Sequence, residues 1–437
     1  MKTGGAAIVA YGENGIRTSA AAARISTTKG GALEAFRIGD GAEKDLKLIG
    51  KVLSSGHQTI VEHQHFTIAF HDVSVLAEQL LIEFRLASYT VKSRRYVDFS
   101  GAGYVIPEGL AEAAEAAFRA DMDEKFAAYN QLLEWGIPRE DARFVLPYCF
   151  KSNFYMTLNA RELAHVIASM TKGRMSRYPE MRRLGESLIR QLDERFPGVS
   201  DMEAKKTPAY RAQKEPDCVS DVSEARQTVS LAGCPQDAEA LLQSAMAFSG
   251  RFSDEDKPLR ALVHDARPRE LEMLHYSFSL SDISLACVTH FTRHRVQSLM
   301  VPPPENALAA GKYVVPDTVR QNAEALALYE EIFRKNASEA RAMLRGGMGW
   351  ETLVYYALAG HTVPLMLNMN ARELLHFLKL RTCARAQWEI RAAAGEMLSL
   401  LMEDCGALFR YYGPSCAVNG FCPEGRLSCG RIHKTEV

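Results

Sequence analysis

Apolar residues recur along this chain in two rhythms. Ala6 to Tyr11 reads as a short apolar strand, and His65-Phe-Thr-Ile-Ala-Phe70 alternates with the period of two that suits a half-buried strand. Helical periodicity then runs through Val75 to Arg85 and through Ala111 to Trp135, and a long helix begins at Asn159. Matching helices are expected at about Asp282 to His294, Thr318 to Leu344 and Ala371 to Cys405. Strands and long helices mixed without regular alternation predict an α+β fold rather than a doubly wound sheet.

The pattern occurs twice. Thr157-Leu-Asn-Ala-Arg-Glu-Leu-Ala-His165 returns as Asn368-Met-Asn-Ala-Arg-Glu-Leu-Leu-His376, with Asn159 and Asn370 lying 211 positions apart. Phe84-Arg85 against His294-Arg295 gives an offset of 210, and His63 against His275 gives 212. Ordered pairs at a nearly constant, long offset indicate duplication of a whole domain rather than a solenoid. The expected boundaries are a first repeat at 1–197, a polar, Pro-punctuated linker at 198–217, a second repeat at 218–412 and a Cys-containing tail at 413–437.

Composition narrows the class. The 437 residues are 47% hydrophobic and 24% charged, as in a globular enzyme. A net charge of -1 gives no general attraction to nucleic acid or to an anionic membrane, so any anion must be held locally. No stretch reaches the roughly 18 apolar residues of a spanning helix, and the opening lacks a signal-like apolar core, so a cytoplasmic location is expected. Of nine cysteines, Cys149, Cys218, Cys234, Cys287, Cys383 and Cys405 are expected to be reduced and buried. Cys416, Cys422 and Cys429 with His433 offer four zinc-type ligands, but their spacing matches no standard zinc pattern, and no metal is expected.

Arg293-His294-Arg295 follows the apolar run Ile283 to Val288 and precedes Ser298. Helical neighbours are about 100° apart, so three consecutive basic side chains must fan around a helix end. A solvated terminus placed well for the helix dipole explains them as readily as an anion site does. In the first repeat Ser93 precedes Arg95 by two residues. An extended segment would put this hydroxyl and guanidinium on one face, an arrangement suited to phosphate but also common in loops. Asn370, Leu374, Phe377 and Arg381 share a helical stripe that Arg385 and Trp388 continue. It is either a core-facing edge or the wall of a ring-binding cleft.

In combination these elements resemble the signature of the flavin-dependent thymidylate synthases: Arg-His-Arg, a Ser three residues on, a second Ser five further and an Arg two later. Other stretches resemble the same family: Glu62-His63-Gln-His-Phe-Thr67 after Gly56-His57, Pro138-Arg-Glu-Asp-Ala-Arg143-Phe-Val-Leu-Pro147, Asn370-Ala-Arg372-Glu-Leu-Leu-His376, and Arg381 with Ala386-Gln-Trp-Glu-Ile-Arg391. The likeness implies two tandem copies of that family's fold, an antiparallel sheet with long helices. It implies reductive methylation of dUMP to dTMP, with methylenetetrahydrofolate as carbon donor, FAD as cofactor and NADPH as reductant, and no protein nucleophile. By match to the family, Ser93, Arg95 and Arg143 hold the dUMP phosphate and Arg381 the uracil carbonyl. Arg293, His294 and Arg295 lie along FAD, with Arg293 also reaching dUMP. Asn370, Arg372, His376 and His63 are flavin-side candidates.

Neither repeat is complete. The first keeps Ser93, Arg95 and Arg143 but carries Glu83-Phe84 for Arg-His and Met170 for Arg381. The second keeps Arg293-His294-Arg295, Ser298 and Arg381 but has Pro303, Glu305 and Val354 at the phosphate positions. In the family each site lies between subunits of a homotetramer, so the resemblance implies composite sites and a homodimer that stands in for the tetramer. His290, where many members have Gln, bears on the uracil ring and leaves open another pyrimidine nucleotide such as UMP. A non-catalytic nucleotide- or flavin-binding scaffold is the other alternative. Random decay would strike both composite sites, whereas the losses cluster in one.

Overall fold

The computed structural model describes residues 4–38, 41–211, 214–250 and 258–431. In the first repeat, strands β1 (Gly5–Tyr11), β2 (His65–Ser74), β3 (Ala87–Val91) and β4 (Lys151–Asn159) form an antiparallel sheet in the order β1-β2-β4-β3. In the second, β5 (Thr228–Gly233), β6 (His275–Ser284), β7 (Ser298–Met300) and β8 (Thr362–Asn370) repeat that order as β5-β6-β8-β7. The alternation read from β2 puts Phe66, Ile68 and Phe70 in the core opposite Leu158, Met156 and Phe154 of β4. Both central strands carry a positive-φ aspartate at the same place, Asp72 (φ 52) and Asp282 (φ 57). Aspartate tolerates this conformation better than most side chains.

Capping residues decide where the helices begin. Ser74 and Ser284 end their strands and accept the N–H of Ala77 and of Cys287, each at 3.0 Å, which starts helices Val75–Leu81 and Leu285–Thr292. Asp282 to Ser284 therefore belongs to a strand, and the first of these helices stops short of Arg85. Asn159 and Asn370 cap helices Ala160–Thr171 and Ala371–Arg381 in the same way. The single helix expected over Ala371 to Cys405 is two, because Gln387 turns its side chain to the N–H groups of Glu389 and Ile390 at 3.1 Å and opens a new helix, Trp388–Phe409. Arg385 and Trp388 thus do not extend the stripe of Arg381. Asn322 likewise divides Asp317–Arg320 from Ala323–Arg345.

The pairing of His63 with His275 also needs correction. His275 opens β6 opposite Asn370 just as His65 opens β2 opposite Asn159, so His65 is its true counterpart. His63 ends the short 3-10 helix Thr59–His63, whose equivalent, Arg269–Met273, ends in methionine.

The chain forms two compact units that do not coincide with the repeats. One joins residues up to Cys218 with Asn322–Ala357, and the other joins Val219–Gln321 with residues from Leu358 onward. Within the first unit, helix Ala323–Arg345 packs on Glu112–Glu134, the helix of which it is the duplicate. Lys125 pairs there with Glu339 and Lys335 with Glu124, while the Tyr356 hydroxyl donates to Asp121 at 2.7 Å. Glu180, 4% exposed, accepts from the Ser74 N–H at 2.9 Å, the Ser74 hydroxyl at 2.5 Å and the Tyr355 hydroxyl at 2.7 Å. Glu180→Ala leaves these buried donors without their acceptor and is expected to cost about 3 kcal/mol or more in urea unfolding. A loss below about 1 kcal/mol would show that water replaces the carboxylate without penalty.

Candidate functional site

In the first unit the segment after β3 turns rather than extends. The Arg95 N–H donates to the Ser93 hydroxyl at 3.3 Å and the Val97 N–H to the Ser93 carbonyl at 3.1 Å. The hydroxyl and the guanidinium therefore share one turn, though not by the strand geometry expected. The Arg95 side chain pairs with the Glu140 carboxylate, and Arg143 Nε donates to the Glu140 carbonyl at 3.0 Å. Glu140 thus gathers the two arginines. Arg143 itself is 3% exposed, in the 3-10 turn Arg143–Val145. Arg94, between Ser93 and Arg95, plays a different part and pairs at 2.7 Å with the buried Glu78, which also accepts from the Ser152 hydroxyl.

In the second unit the basic triplet fans as its spacing requires. Arg293 caps the C-terminus of helix Leu285–Thr292, Arg293 and Arg295 are exposed, and His294 is buried. Arg381, at the last turn of Ala371–Arg381, donates from Nε to His294 Nε2 at 2.9 Å and from Nη2 to the His290 carbonyl at 3.2 Å. On its other side His294 Nδ1 lies 3.4 Å from Glu373 Oε1, near enough for electrostatic attraction but without hydrogen-bond geometry. Phe377 and His376 pack against the imidazole with ring centroids 4.8 and 5.7 Å away. Burial pulls the His294 pKa below the usual imidazole range despite Glu373, so the ring is neutral near pH 7.

Asn370 spends its side-chain oxygen on the Glu373 N–H, and Arg372 pairs with Glu272 at 2.5 Å. The first repeat has the same cap on Asn159 and the same pair in Arg161 and Glu62, at 2.6 Å. These two candidates are thus shared by both repeats and do not mark the retained site. His376 lies exposed beside His294. His63, also exposed, is in the other unit.

Several of the replaced positions have taken up ordinary structural roles. Glu83 pairs with Arg174, although burial still raises its carboxyl pKa. Phe84 meets His165 edge-on at 5.3 Å. Met170 and Val354 are fully buried, and Glu305 is 1% exposed.

Two participants were not singled out from sequence, Glu140 and Glu373. Each sits inside a recognised motif, and Glu373 carries a further signal: it is the third residue after a capping Asn, the position from which a carboxylate completes a capping box. A cavity of about 470 Å³ in the first unit is lined by none of these residues; within its lining Arg119 pairs with Glu115 and Arg183 with Glu108.

The cysteines differ from expectation in part. Cys149, Cys287 and Cys405 are buried, but Cys218 and Cys234 are exposed and Cys383 is partly so. In the tail, the thiols of Cys416 and Cys429 each lie 3.8 Å from the Arg431 carbonyl. His433 lies outside the described residues, and among those described no group of three or more His, Cys, Asp or Glu side chains is arranged to hold a metal. No described helix is long and apolar enough to cross a membrane.

The family described as thymidylate synthase complementing protein matches residues 7–198 and again 222–405. A flavin-dependent thymidylate synthase of Geobacter sulfurreducens is 37% identical over 164 residues, covering 37% of this chain and 70% of its own. That of Thermococcus kodakarensis is 34% identical over 191 residues, covering 41% of this chain and 77% of its own. Among solved structures, the UMP/dUMP methylase PolB from Streptomyces cacaoi, bound with 5-Br dUMP, aligns with 47% of this chain and 96% of that one, at a TM-score of 0.40 and 22% identity.

Proposed function

Because the chain belongs to the thymidylate synthase complementing protein family in both of its halves, we propose that it is a fused flavin-dependent thymidylate synthase whose repeats supply complementary parts of one site. The reaction is reductive methylation of dUMP to dTMP with methylenetetrahydrofolate and NADPH. The observation that carries this reading is the division of losses. The first repeat keeps the Ser93, Arg95 and Arg143 cluster, and the second keeps Arg293, His294, Arg295 and Arg381.

Ser93, Arg95 and Arg143 hold the dianionic phosphate with one neutral and two charged donors. Arg381 donates to a uracil carbonyl and stabilises the negative charge that develops on the ring. The exposed cations Arg293 and Arg295, flanking a neutral buried imidazole, form a donor set that fits the pyrophosphate and ring edge of FAD, with Arg293 also reaching dUMP. FAD, when bound, supplies the hydride that completes the methyl group. Asn370, Arg372, His376 and His63 are the remaining flavin-side residues in this reading.

The test is an assay of FAD-reconstituted protein. Oxidised-flavin absorbance, and dTMP formed only when dUMP, methylenetetrahydrofolate and NADPH are all present, are the expected results. UMP in place of dUMP forms the comparison arm, because His290 stands near Arg381; faster methylation of UMP would reassign the substrate. Absence of flavin absorbance after reconstitution would leave a nucleotide-binding scaffold.

The duplicated chain should assemble as a homodimer in place of a tetramer. Light scattering is expected at twice the 48.5 kDa chain mass. A fully active, stable monomer would rule that assembly out.

A further inference from the structure

We propose that Glu373 is a positioning residue for Arg381, acting through His294 by fixing the imidazole tautomer. This rests on the reading that Arg381 serves the substrate ring. Guanidinium nitrogens only donate, so Arg381 Nε, 2.9 Å from His294 Nε2, requires a lone pair on that nitrogen. The ring hydrogen of the neutral imidazole then sits on Nδ1, which faces Glu373 Oε1. The pair lacks hydrogen-bond geometry, but the negative charge of a carboxylate 3.4 Å away favours the hydrogen on Nδ1 over a lone pair there. The other tautomer would set Nε2–H against the Arg381 Nε–H, and a bare Nδ1 against a carboxylate. Both contacts would be repulsive.

The relay is enclosed. Glu373 is 8% and His294 4% exposed, and Phe377 covers one side of the imidazole. The depressed His294 pKa agrees with a neutral ring, since a doubly protonated one would present a hydrogen to Arg381 as well. Glu373 is in turn held at the first turn of its helix by the Asn370 cap. Arg381 is thereby fixed between two acceptors, His294 Nε2 and the His290 carbonyl, with its orientation set by a carboxylate that need not touch the substrate.

The first repeat supplies an internal control. It retains the carboxylate as Glu162, but Phe84 and Met170 replace the histidine and the arginine, and Glu162 turns instead to His165 at 3.6 Å. A glutamate at this position therefore also suits the helix N-terminus on its own account. What the second repeat adds is the path from that glutamate to an arginine.

The experiment compares Glu373→Gln, Glu162→Gln, His294→Gln and the double variant Glu373→Gln/His294→Gln, all reconstituted with FAD. A glutamine amide both donates and accepts, so Glu373→Gln no longer selects one tautomer. It is expected to lower kcat about tenfold and leave the dUMP Kd within about twofold. Nitrogen-15 NMR of histidine-labelled protein, with the His294 signal identified by its loss in His294→Gln, should show protonated Nδ1 in the wild type and mixed tautomers in Glu373→Gln. In His294→Gln the amide oxygen accepts from Arg381 with no tautomer to select, so adding Glu373→Gln should produce no further loss. Glu162→Gln should leave turnover unchanged. Protonated Nε2 in the wild type, additive losses in the double variant, or an equal loss from Glu162→Gln would each overturn the proposal. If the wild type does not methylate dUMP, the functional reading fails, and the tautomer measurement still decides the relay.

Discussion

Arg381→Ala is expected to lower turnover by about a hundredfold to a thousandfold while changing dUMP affinity far less. Uracil carries no formal charge before the new carbon bond forms, so a guanidinium at its carbonyl gains most of its interaction as charge moves onto the ring. The loss then falls on kcat. Single-turnover rates with enzyme in excess, set beside equilibrium titration of dUMP, separate the two effects. Equal losses in binding and turnover would instead make Arg381 a ground-state ligand.

Acid is expected to destabilise the protein steeply, with His361 a principal cause. This residue is fully buried, accepts the Leu358 N–H on Nδ1 at 2.8 Å, and has its pKa pushed down to about 3 by burial. The unfolded chain takes up this proton near pH 6.5 and the folded chain only near pH 3. Between those values the unfolded state binds more protons, so stability falls as pH falls, by about 1.4 kcal/mol per unit and about 5 kcal/mol across the window. Asparagine places an amide oxygen where Nδ1 accepts but does not titrate. Urea unfolding of the wild type and His361→Asn at pH 7 and pH 4.5 should show the wild type losing about 2–3 kcal/mol more than the variant. Equal losses would remove His361 as a cause of acid sensitivity.

The repeat, the α+β class and strands β1 and β2 were legible because each follows from a periodicity or an offset along the sequence. The breaks at Asn322 and Gln387 were not, since a polar cap inside an unbroken apolar rhythm changes the chain direction without changing the period. Val354 illustrates another limit. It belongs by sequence to the second repeat but by packing to the first unit, because helix Ala323–Arg345 buries its face against its own duplicate. Offsets within a sequence do not reveal such an exchange. For the candidate site, residue types were readable and their partners were not. Ser93 and Arg95 come together through a turn rather than a strand, and Glu140 and Glu373 take part only because the fold sets particular donors against them.

The proposed division of one site between the repeats implies a specific binding stoichiometry. Calorimetric titration of dUMP into FAD-loaded wild type, Arg95→Ala and Met170→Leu measures it. Met170→Leu conserves volume at a fully buried position, where alanine would open a cavity. One dUMP per chain is expected in the wild type and in Met170→Leu. In Arg95→Ala, loss of a charged donor to a dianion should weaken binding about tenfold to a hundredfold. Two dUMP per chain, or a one-per-chain isotherm that Arg95→Ala leaves unchanged, would contradict a divided site.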